Sequence, residues 1–271
     1  MRHEDVLQAL LELTPSKQAH VVAQWPGLTG KTSEGIDVTA RTPKELRRFM
    51  AERDPGMLRW IQGFEAGDVF YDVGANVGGV TLAVAGLHGS QVTSVAIEPS
   101  VASFESLARH LSLNKLLGFV IPLQVALLDR TGIEKLNYNS TAAGYSLHAV
   151  GEAVDHEGRP FVPAEVQLIP TYALDDLIET LKLPLPTQIK VDIDGYEESV
   201  LRGATRTLSR GSVRALFVEV VDHDRRGTRL ASVSEILGRA GYELVESFRH
   251  GEGGDEGIGY VSDHLYRTVV T

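Results

Sequence analysis

The feature that most constrains this chain is a short apolar strand that runs directly into a glycine-rich turn. The predicted strand spans Val69 to Val73, and the turn spans Gly74 to Gly79. Glycines let the backbone turn tightly and approach a ligand, and the helix that opens beyond them offers unpaired N–H groups. The pattern is typical of nucleotide-type cofactor sites in α/β folds, and a strand–turn–helix without a ligand is the alternative.

Side chains within the turn indicate the class of cofactor. A dinucleotide fingerprint requires a bare glycine at its middle position, which Asn76 occupies in the register Gly74, Asn76, Gly79. Asp72, at the end of the strand, would repel a pyrophosphate but suit a cation. S-adenosylmethionine (SAM) carries an ammonium and a sulfonium and no phosphate. The turn therefore predicts a SAM site, with a nicotinamide or flavin site as the alternative, formed by Asp72, Gly74, Ala75, Asn76 and Gly78.

A second acidic residue lies where an adenosine ligand needs one. The β-rich run from Val92 to Ile97 ends in Glu98 and Pro99, about 20 residues after the turn. A carboxylate at this strand end can accept both ribose hydroxyls, although it does not distinguish SAM from NAD. Ala126 and Leu127 follow the third predicted strand, where an adenine ring would lie; a plain strand exit is the alternative.

Composition limits the class of protein and its partners. The chain has 271 residues, 43% of them hydrophobic, no cysteine and a net charge of −10. The absence of cysteine excludes disulfides, thiolate catalysis and cysteine-bound zinc. The negative charge argues against a nucleic-acid partner, because such binding depends on Lys and Arg. No apolar run is long enough for a membrane span and no signal peptide is recognisable, so we expect a cytoplasmic protein.

The chain divides into an N-terminal extension and a larger α/β domain. We assign residues 1–54 to a helical extension that either caps the site or forms a dimer face, and residues 55–271 to the catalytic domain. A homo-oligomer is left open. The extension is predicted to contain a helix over Asp5–Leu13, a loop over 24–37, and a helix that begins at Thr42-Pro43 with Glu45 as a capping partner. A further helix is predicted around Met57 to Gly63.

In the larger domain, strands and helices alternate, which predicts a parallel sheet with right-handed crossovers. The alternation stops over residues 132–186, where short β-like pieces occur at 133–138 and 165–169. Loops of this length within a domain are usually functional, so we predict an acceptor-binding lid, with disordered decoration as the alternative. The lid is rich in groups suited to a carbohydrate or polyol, namely Tyr138, Ser140, Tyr145, Ser146, His148 and His156.

Acidic residues follow the fourth and fifth predicted core strands, which end at Val191 and Val218. Asp192, with Asp194 beside it, could orient an acceptor hydroxyl or bind a divalent cation. His223 is the histidine best placed to act as a general base. If a metal binds, the predicted ligands are Asp192, Asp194 and Glu219, although acidic strand ends also commonly cap helices.

The ordered motifs resemble those of the FkbM-type SAM-dependent methyltransferases. They comprise the segments 67–78, 96–99, 126–127, 174–177 and 189–197, with 241–244 and 264–267 matching the closing strands. The resemblance implies a class I, Rossmann-like α/β fold with helices on both faces of a seven-stranded, mostly parallel sheet whose last strand is antiparallel. It also implies O-methylation of a sugar, polyketide or related hydroxyl, with Asp192 facing the methyl group and SAM held by Asp72, Gly74, Asn76, Gly78 and Glu98.

One motif departs from the family pattern, and other functions stay open. The family commonly has Glu-Gly-Ala-Glu where this chain has Asp194 to Glu197, which leaves the acceptor open. Base N-methyltransferases usually carry an Asn/Asp-Pro-Pro-aromatic turn after the fourth strand, and RNA 2′-O-methyltransferases commonly carry a lysine where Glu219 stands. A nicotinamide oxidoreductase is a further alternative, but Asn76 and Asp72 do not fit a dinucleotide-binding turn. A SAM-binding protein without turnover is a further alternative.

Overall fold

The computed structural model describes residues 28–50, 54–155, 158–222, 227–249 and 260–269, without the side chains of Met50, Arg249 and Tyr260. The predicted helix over Asp5–Leu13 lies outside these residues. None of the helices in the described ranges combines the length and apolar character needed to cross a bilayer.

The described part of the N-terminal extension begins with a β-hairpin, which overlaps the loop predicted over residues 24–37. Strand β1 (Leu28–Lys31) pairs antiparallel with β2 (Asp37–Ala40), and the Thr32 N–H donates to the Ile36 carbonyl at 2.9 Å. The sequence pattern missed β1 because its burial alternates between half-buried and exposed residues, without an apolar face. Its partner β2 buries Val38 and Ala40 instead.

Two helices connect the hairpin to the main sheet, as predicted. Helix α1 (Pro43–Met50) begins with a capping box in which the Glu45 N–H donates to Thr42 Oγ1 at 3.0 Å and the Thr42 N–H donates to Glu45 Oε2 at 2.9 Å. Helix α2 (Pro55–Gln62) is capped by Asp54, which accepts hydrogen bonds from the backbone of Gly56 and Met57.

The predicted alternation of strands and helices is confirmed in the first half of the domain. Its elements are β3 (Val69–Val73), α3 (Gly79–His88), β4 (Thr93–Ile97), α4 (Val101–Leu113) and β5 (Val120–Leu123). The three strands pair in parallel, with β3 next to β4 and β4 next to β5. Their carboxyl ends therefore meet at one edge of the sheet, together with the glycine turn between β3 and α3.

The described residues of the predicted insertion form a second sheet together with a short strand that precedes the insertion. Its strands are β6 (Ala126–Leu128), β7 (Gly132–Tyr138), β8 (Ala149–Val150) and β9 (Glu165–Ala173), in the order β6-β9-β7-β8. Strand β6 pairs parallel with β9, and β7 pairs antiparallel with both β8 and β9. Helix α5 (Leu174–Leu181) then returns the chain to the main sheet.

The second half completes the main sheet. It consists of β10 (Gln188–Val191), α6 (Glu197–Arg202), α7 (Thr205–Ser209), β11 (Ala215–Asp222), α8 (Thr228–Arg239), β12 (Tyr242–Arg249) and β13 (Tyr260–Thr268). The strand order is β12-β13-β11-β10-β3-β4-β5, and β13 pairs antiparallel with both neighbours. This arrangement confirms the predicted seven-stranded sheet with an antiparallel last strand.

Strand β11 is longer than predicted, and this changes the position of Glu219. The strand continues to Asp222 because β13 pairs with it along its whole length, from Ala215↔Arg267 to Asp222↔Tyr260. Glu219 therefore lies within the strand, opposite Asp263, instead of following its end. His223 lies outside the described residues.

Helices cover both faces of the sheet. The face of Tyr71 and Val73 packs against apolar residues of α5, α6 and α8, whereas Phe70 faces α2 and α3. This division follows the two-residue period of a strand, since alternate side chains of β3 point to opposite layers. With both faces covered, the open edge at the carboxyl ends of the parallel strands is where a ligand can enter.

Candidate cofactor and acceptor site

A cavity of about 570 Å³ opens at the carboxyl ends of the parallel strands. Its size is within the range of small-molecule sites, about 300–1,000 Å³. The structure brings most of the predicted residues together on its walls, including Gly74, Ala75, Asn76, Glu98, Pro99, Ala126, Leu127, Asp192, Asp194 and Glu219. Other walls come from α1 (Lys44, Arg47 and Arg48) and from the chain before β8 (Tyr145, Ser146 and His148).

The glycine turn has a geometry that a side chain would disrupt. Gly74 has a φ of +82°, and a Cβ at this position would lie 1.9 Å from the Asp192 carbonyl oxygen. Gly78 has a φ of +96° and forms the N-cap of α3. A Cβ there would lie 2.7 Å from Leu107 Cδ1. Gly78 thus shapes the turn without lining the cavity, whereas Gly74 lets the backbone of the turn approach β10.

Glu98 lies beside the turn with only 6% of its surface exposed. Its Oε2 accepts the Asn76 N–H at 2.9 Å, and its Oε1 accepts the Ser100 N–H at 2.8 Å. Burial raises the pKa of Glu98 to about 7; the hydrogen bonds from Ser100 and Asn76 oppose this shift, and Asp194 and Asp72 add to it. A carboxylate has about four acceptor positions, so Glu98 retains capacity for ribose hydroxyls.

Asp72 does not face the cavity, contrary to the prediction of direct contact with the cofactor. Its side chain is fully buried, and Oδ2 accepts hydrogen bonds from the Thr81 N–H at 3.1 Å and from Thr81 Oγ1 at 2.6 Å. The N–H groups in the first turn of a helix attract a carboxylate, which explains this orientation. Asp72 therefore anchors α3 beneath the turn.

Lys190 is a buried residue of the cavity wall that the sequence pattern did not single out. Its ammonium lies 3.0 Å from Asp192 Oδ2 and 3.3 Å from Asp72 Oδ1, with only 3% of the side chain exposed. Burial alone would lower the pKa of Lys190, but Asp192 and Asp72 outweigh it and raise the pKa above its ordinary value. A lysine within a buried strand requires such partners, and this requirement was the available signal.

Asp192 and Glu219 form a pair of carboxyl groups with different proton affinities. Although burial would raise the pKa of Asp192, its neighbour Lys190 holds that pKa below the ordinary value. Burial raises the pKa of Glu219, and the charges of Asp192 and Asp263 raise it further. Each of the two carboxyl groups affects the pKa of the other. Asp192 is thus the ionised member, and Glu219 is the member that more readily keeps a proton.

The structure does not assemble Asp192, Asp194 and Glu219 into the alternative metal site. Asp192 is paired with Lys190, and Asp194 Oδ2 accepts the Leu147 N–H at 2.7 Å. Across the described ranges, no group of three or more His, Cys, Asp or Glu residues has the arrangement to hold a metal ion. The ammonium of Lys190 supplies the positive charge next to Asp192.

The segment over residues 143–147 is tied to both halves of the site. Asn76 Nδ2 donates to the Tyr145 carbonyl at 3.0 Å, and the Leu147 N–H donates to Asp194. Thr42 Oγ1 donates to the Ala143 carbonyl at 3.1 Å, which links the segment to the start of α1. The predicted lid therefore contributes directly to the cavity through Tyr145 and Ser146, although Tyr138 and Ser140 do not line it.

His148 is the histidine that the structure brings into the cavity wall. Its Nδ1 accepts the Asn139 N–H at 3.2 Å, so the neutral ring carries its proton on Nε2. Burial lowers the pKa of His148 to about 4, which keeps the ring neutral. The candidate chosen from the sequence, His223, lies outside the described residues, as does His156.

Comparison with known proteins identifies the family. The model of the methyltransferase FkbM domain matches residues 72–244, from the end of β3 into β12. The chain belongs to this family. The predicted resemblance is thereby confirmed, and the alternative of a nicotinamide oxidoreductase is disfavoured.

Individual relatives agree with this assignment. The chain is 30% identical over 175 residues to the hexuronic acid methyltransferase AglP of Haloferax volcanii, covering 65% of this chain and 64% of that protein. The crystal structure of methyltransferase FkbM from Methylobacillus flagellatus has a TM-score of 0.50 and 20% identity, covering 74% of this chain and 44% of that one.

Trm5b from Pyrococcus abyssi has a TM-score of 0.50 and 12% identity, covering 90% of this chain and 56% of that one. The two solved structures support the class I methyltransferase fold, and at these identities they support the fold alone. The chain spans less than two thirds of the length of each of these three relatives.

Proposed function

We propose that this protein is a SAM-dependent O-methyltransferase that acts on a hydroxyl group of a sugar or glycan. The observation that carries the proposal is one cavity lined by the glycine turn, by Glu98 and by the Asp192 carboxylate. Membership of the FkbM methyltransferase family supports the reaction, and the relative named as a hexuronic acid methyltransferase supports a sugar acceptor.

The residues lining the cavity fit SAM. Gly74 lines the cavity without a side chain, and Glu98 offers acceptors for the two ribose hydroxyls. Ala126 and Leu127, which line the cavity, would offer a small apolar wall to the adenine. When bound, SAM supplies an electrophilic methyl group on a sulfonium centre. The carboxylates of Asp192 and Asp194 favour that positive charge.

Asp192 is the residue that we assign to the acceptor hydroxyl. Its carboxylate is 32% exposed at the cavity, and Lys190 keeps it ionised. An ionised carboxylate can accept a hydrogen bond from the hydroxyl, orient an oxygen lone pair and take the proton that the hydroxyl loses on methylation. Glu219, which lines the same cavity and whose pKa Asp192 raises, provides a second carboxyl group that can share the proton.

Titration calorimetry tests the cofactor part of the proposal. We expect S-adenosylhomocysteine to bind the protein and NAD not to bind. Transfer of a radiolabelled methyl group from SAM to a panel of glycosides and cell-derived glycans tests the reaction. Binding of NAD without any heat from S-adenosylhomocysteine would contradict the proposal, as would cofactor binding without transfer to any acceptor.

Several predictions about partners and organisation accompany this function. We keep the prediction of a cytoplasmic enzyme, and the net charge of −10 supports the absence of a nucleic-acid partner. We keep the division into an extension over residues 1–54 and a catalytic domain over 55–271. The capping role of the extension is supported by α1, which contributes three residues to the cavity wall.

A further inference from the structure

One wall of the cavity is strongly basic, although the chain as a whole is acidic. Lys44, Arg47 and Arg48 of α1 all line the cavity, in a chain whose net charge is −10. Residues spaced by three and four positions share one face of a helix, which explains why α1 presents these cations together. Methyl transfer to a neutral sugar would give no reason for this concentration of positive charge.

The basic wall packs against the segment over residues 143–147, which belongs to the predicted acceptor-binding lid. Arg48 Nε donates to the Gly144 carbonyl at 3.3 Å, and its Nη2 donates to Ser146 Oγ at 3.2 Å. The Lys44 ammonium lies 5.2 Å from the centre of the Tyr145 ring. The charge of Arg48 also reaches Asp192, whose pKa it helps to lower. The cations therefore lie across from the carboxylate assigned to the acceptor hydroxyl.

The charges in the cavity divide into two groups. The first group lies at the end of β10, which we call the floor of the cavity. There the ammonium of Lys190 forms ion pairs with Asp72 and Asp192. The carboxylates of the floor suit the cationic donor, whereas the wall formed by α1 suits an anion. Arginine forks bind carboxylate groups through paired, charge-assisted hydrogen bonds, which adds selectivity as well as affinity.

We propose that Lys44, Arg47 and Arg48 form a subsite for a negatively charged group of the acceptor, foremost the carboxylate of an acidic sugar. This inference rests on the proposed function, since it concerns the acceptor of the same cavity. A carboxylate is also present in the methionyl part of SAM. The experiment must therefore distinguish the carboxylate of the acceptor from that of the cofactor.

Titration calorimetry on the full chain, saturated with S-adenosylhomocysteine, distinguishes the carboxylate of the acceptor from that of the cofactor. We expect methyl β-D-glucuronide to bind at least about tenfold more tightly than methyl β-D-glucoside, since only the former carries a carboxylate. Lys44→Gln and Arg47→Gln should each weaken the glucuronide by about tenfold and leave both the glucoside and S-adenosylhomocysteine unchanged. The charge reversal Arg47→Glu should weaken the glucuronide further.

Arg41→Gln is the matched control, because Arg41 precedes α1 but pairs with Glu105 and does not line the cavity. This variant should bind all three probes as the wild type does. Equal affinity for the two glycosides would overturn the inference and leave the proposed function standing. A loss of S-adenosylhomocysteine affinity in Lys44→Gln or Arg47→Gln would assign the cations to the cofactor instead. Failure of the wild type to bind S-adenosylhomocysteine would overturn the proposed function itself.

Discussion

Lys190 is the residue on which the electrostatic balance of the site depends. It lies between Asp72, which anchors α3, and Asp192, which faces the cavity. Each carboxylate is stabilised by the same buried ammonium, so the fold and the candidate catalytic group depend on one side chain. A buried charge that loses its partner is costly, because its own desolvation is no longer compensated.

We predict that Lys190→Met lowers the free energy of unfolding by about 3–5 kcal/mol, since it leaves two carboxylates without their cation. Urea denaturation followed by circular dichroism measures this change. Lys135→Met is the matched control, because Lys135 is exposed on β7. A Lys190→Met protein as stable as the wild type would show that the ion pairs do not contribute to folding.

The variant Asp192→Asn distinguishes a role in methyl transfer from a role in cofactor binding. We expect kcat to fall by about 10²–10⁴-fold, because the amide cannot accept the hydroxyl proton, whereas affinity for S-adenosylhomocysteine changes little. Methyl transfer to an identified acceptor and calorimetry provide the two measurements. The exposed Asp129→Asn serves as the control. Full turnover in Asp192→Asn would remove this residue from the mechanism.

From the raised pKa of Glu98 we predict that the affinity for the cofactor depends on pH. Because its pKa is raised to about 7, the carboxyl is mostly protonated at pH 6 and mostly ionised at pH 8. The ionised form is the stronger acceptor for ribose hydroxyls, so affinity for S-adenosylhomocysteine should rise with pH, by up to about tenfold over this range. Calorimetry at several pH values tests this, and Glu98→Gln should bind more weakly without the same pH dependence.

At the scale of elements, the helices, strands and turns that were predicted correctly are those that a short-range sequence pattern determines. The glycine turn, the core strands β3 and β4 and the helix α4 follow from local apolar periodicity and turn residues, and the structure confirms them. The strand β1 has no apolar face, and the last residues of β11 depend on pairing with β13, so neither was predictable locally.

The same limit applies to the candidate site. The turn residues, Glu98 and Asp192 could be selected from strand ends and spacing, because parallel strands align their carboxyl ends. The orientation of Asp72 toward Thr81 and the ion pairs of Lys190 depend on which way a buried side chain points. The basic wall of α1 could not be predicted either, since it required knowing where the N-terminal extension packs.

Helix α1 carries this basic wall, and its position depends on Glu45. The buried Glu45 carboxylate caps α1 at Thr42 and accepts hydrogen bonds from Ser106 and Arg109 of α4. Because Glu45→Ala removes the capping acceptor and the buried one of the two carboxylates that pair with Arg109, we expect it to lower the free energy of unfolding by about 2–4 kcal/mol.

Denaturant titration measures this loss of stability. The matched control is Glu105→Ala, whose carboxylate on α4 is half exposed and pairs with Arg41. Exposed ion pairs contribute little, so this variant should lose less than about 1 kcal/mol. Equal losses in both variants would contradict the assigned role of Glu45.

At the scale of the whole molecule, the cavity draws its walls from segments distributed along the chain. The glycine turn, the second sheet and the strands β10 and β11 all contribute, and α1 closes one side. A ligand in this position contacts both halves of the main sheet. Its binding free energy should therefore stabilise the folded domain as a unit, because the unfolded chain has no such site.

We predict that S-adenosylhomocysteine at about 100 times its Kd raises Tm by about 5–10 °C. Differential scanning fluorimetry measures the shift, and NAD at the same concentration is the control that should leave Tm unchanged. A larger shift with NAD than with S-adenosylhomocysteine would contradict the assigned cofactor class.

The segment over residues 143–147 hydrogen-bonds to Asn76 of the turn through Tyr145 and to Asp194 through Leu147. Only one residue separates these two attachments, so a displacement at one must be transmitted to the other. The donor and acceptor affinities should therefore be thermodynamically coupled, with each ligand changing the affinity of the other by the same factor. Such reciprocity would make the enzyme cooperative between two different substrates without requiring a second subunit.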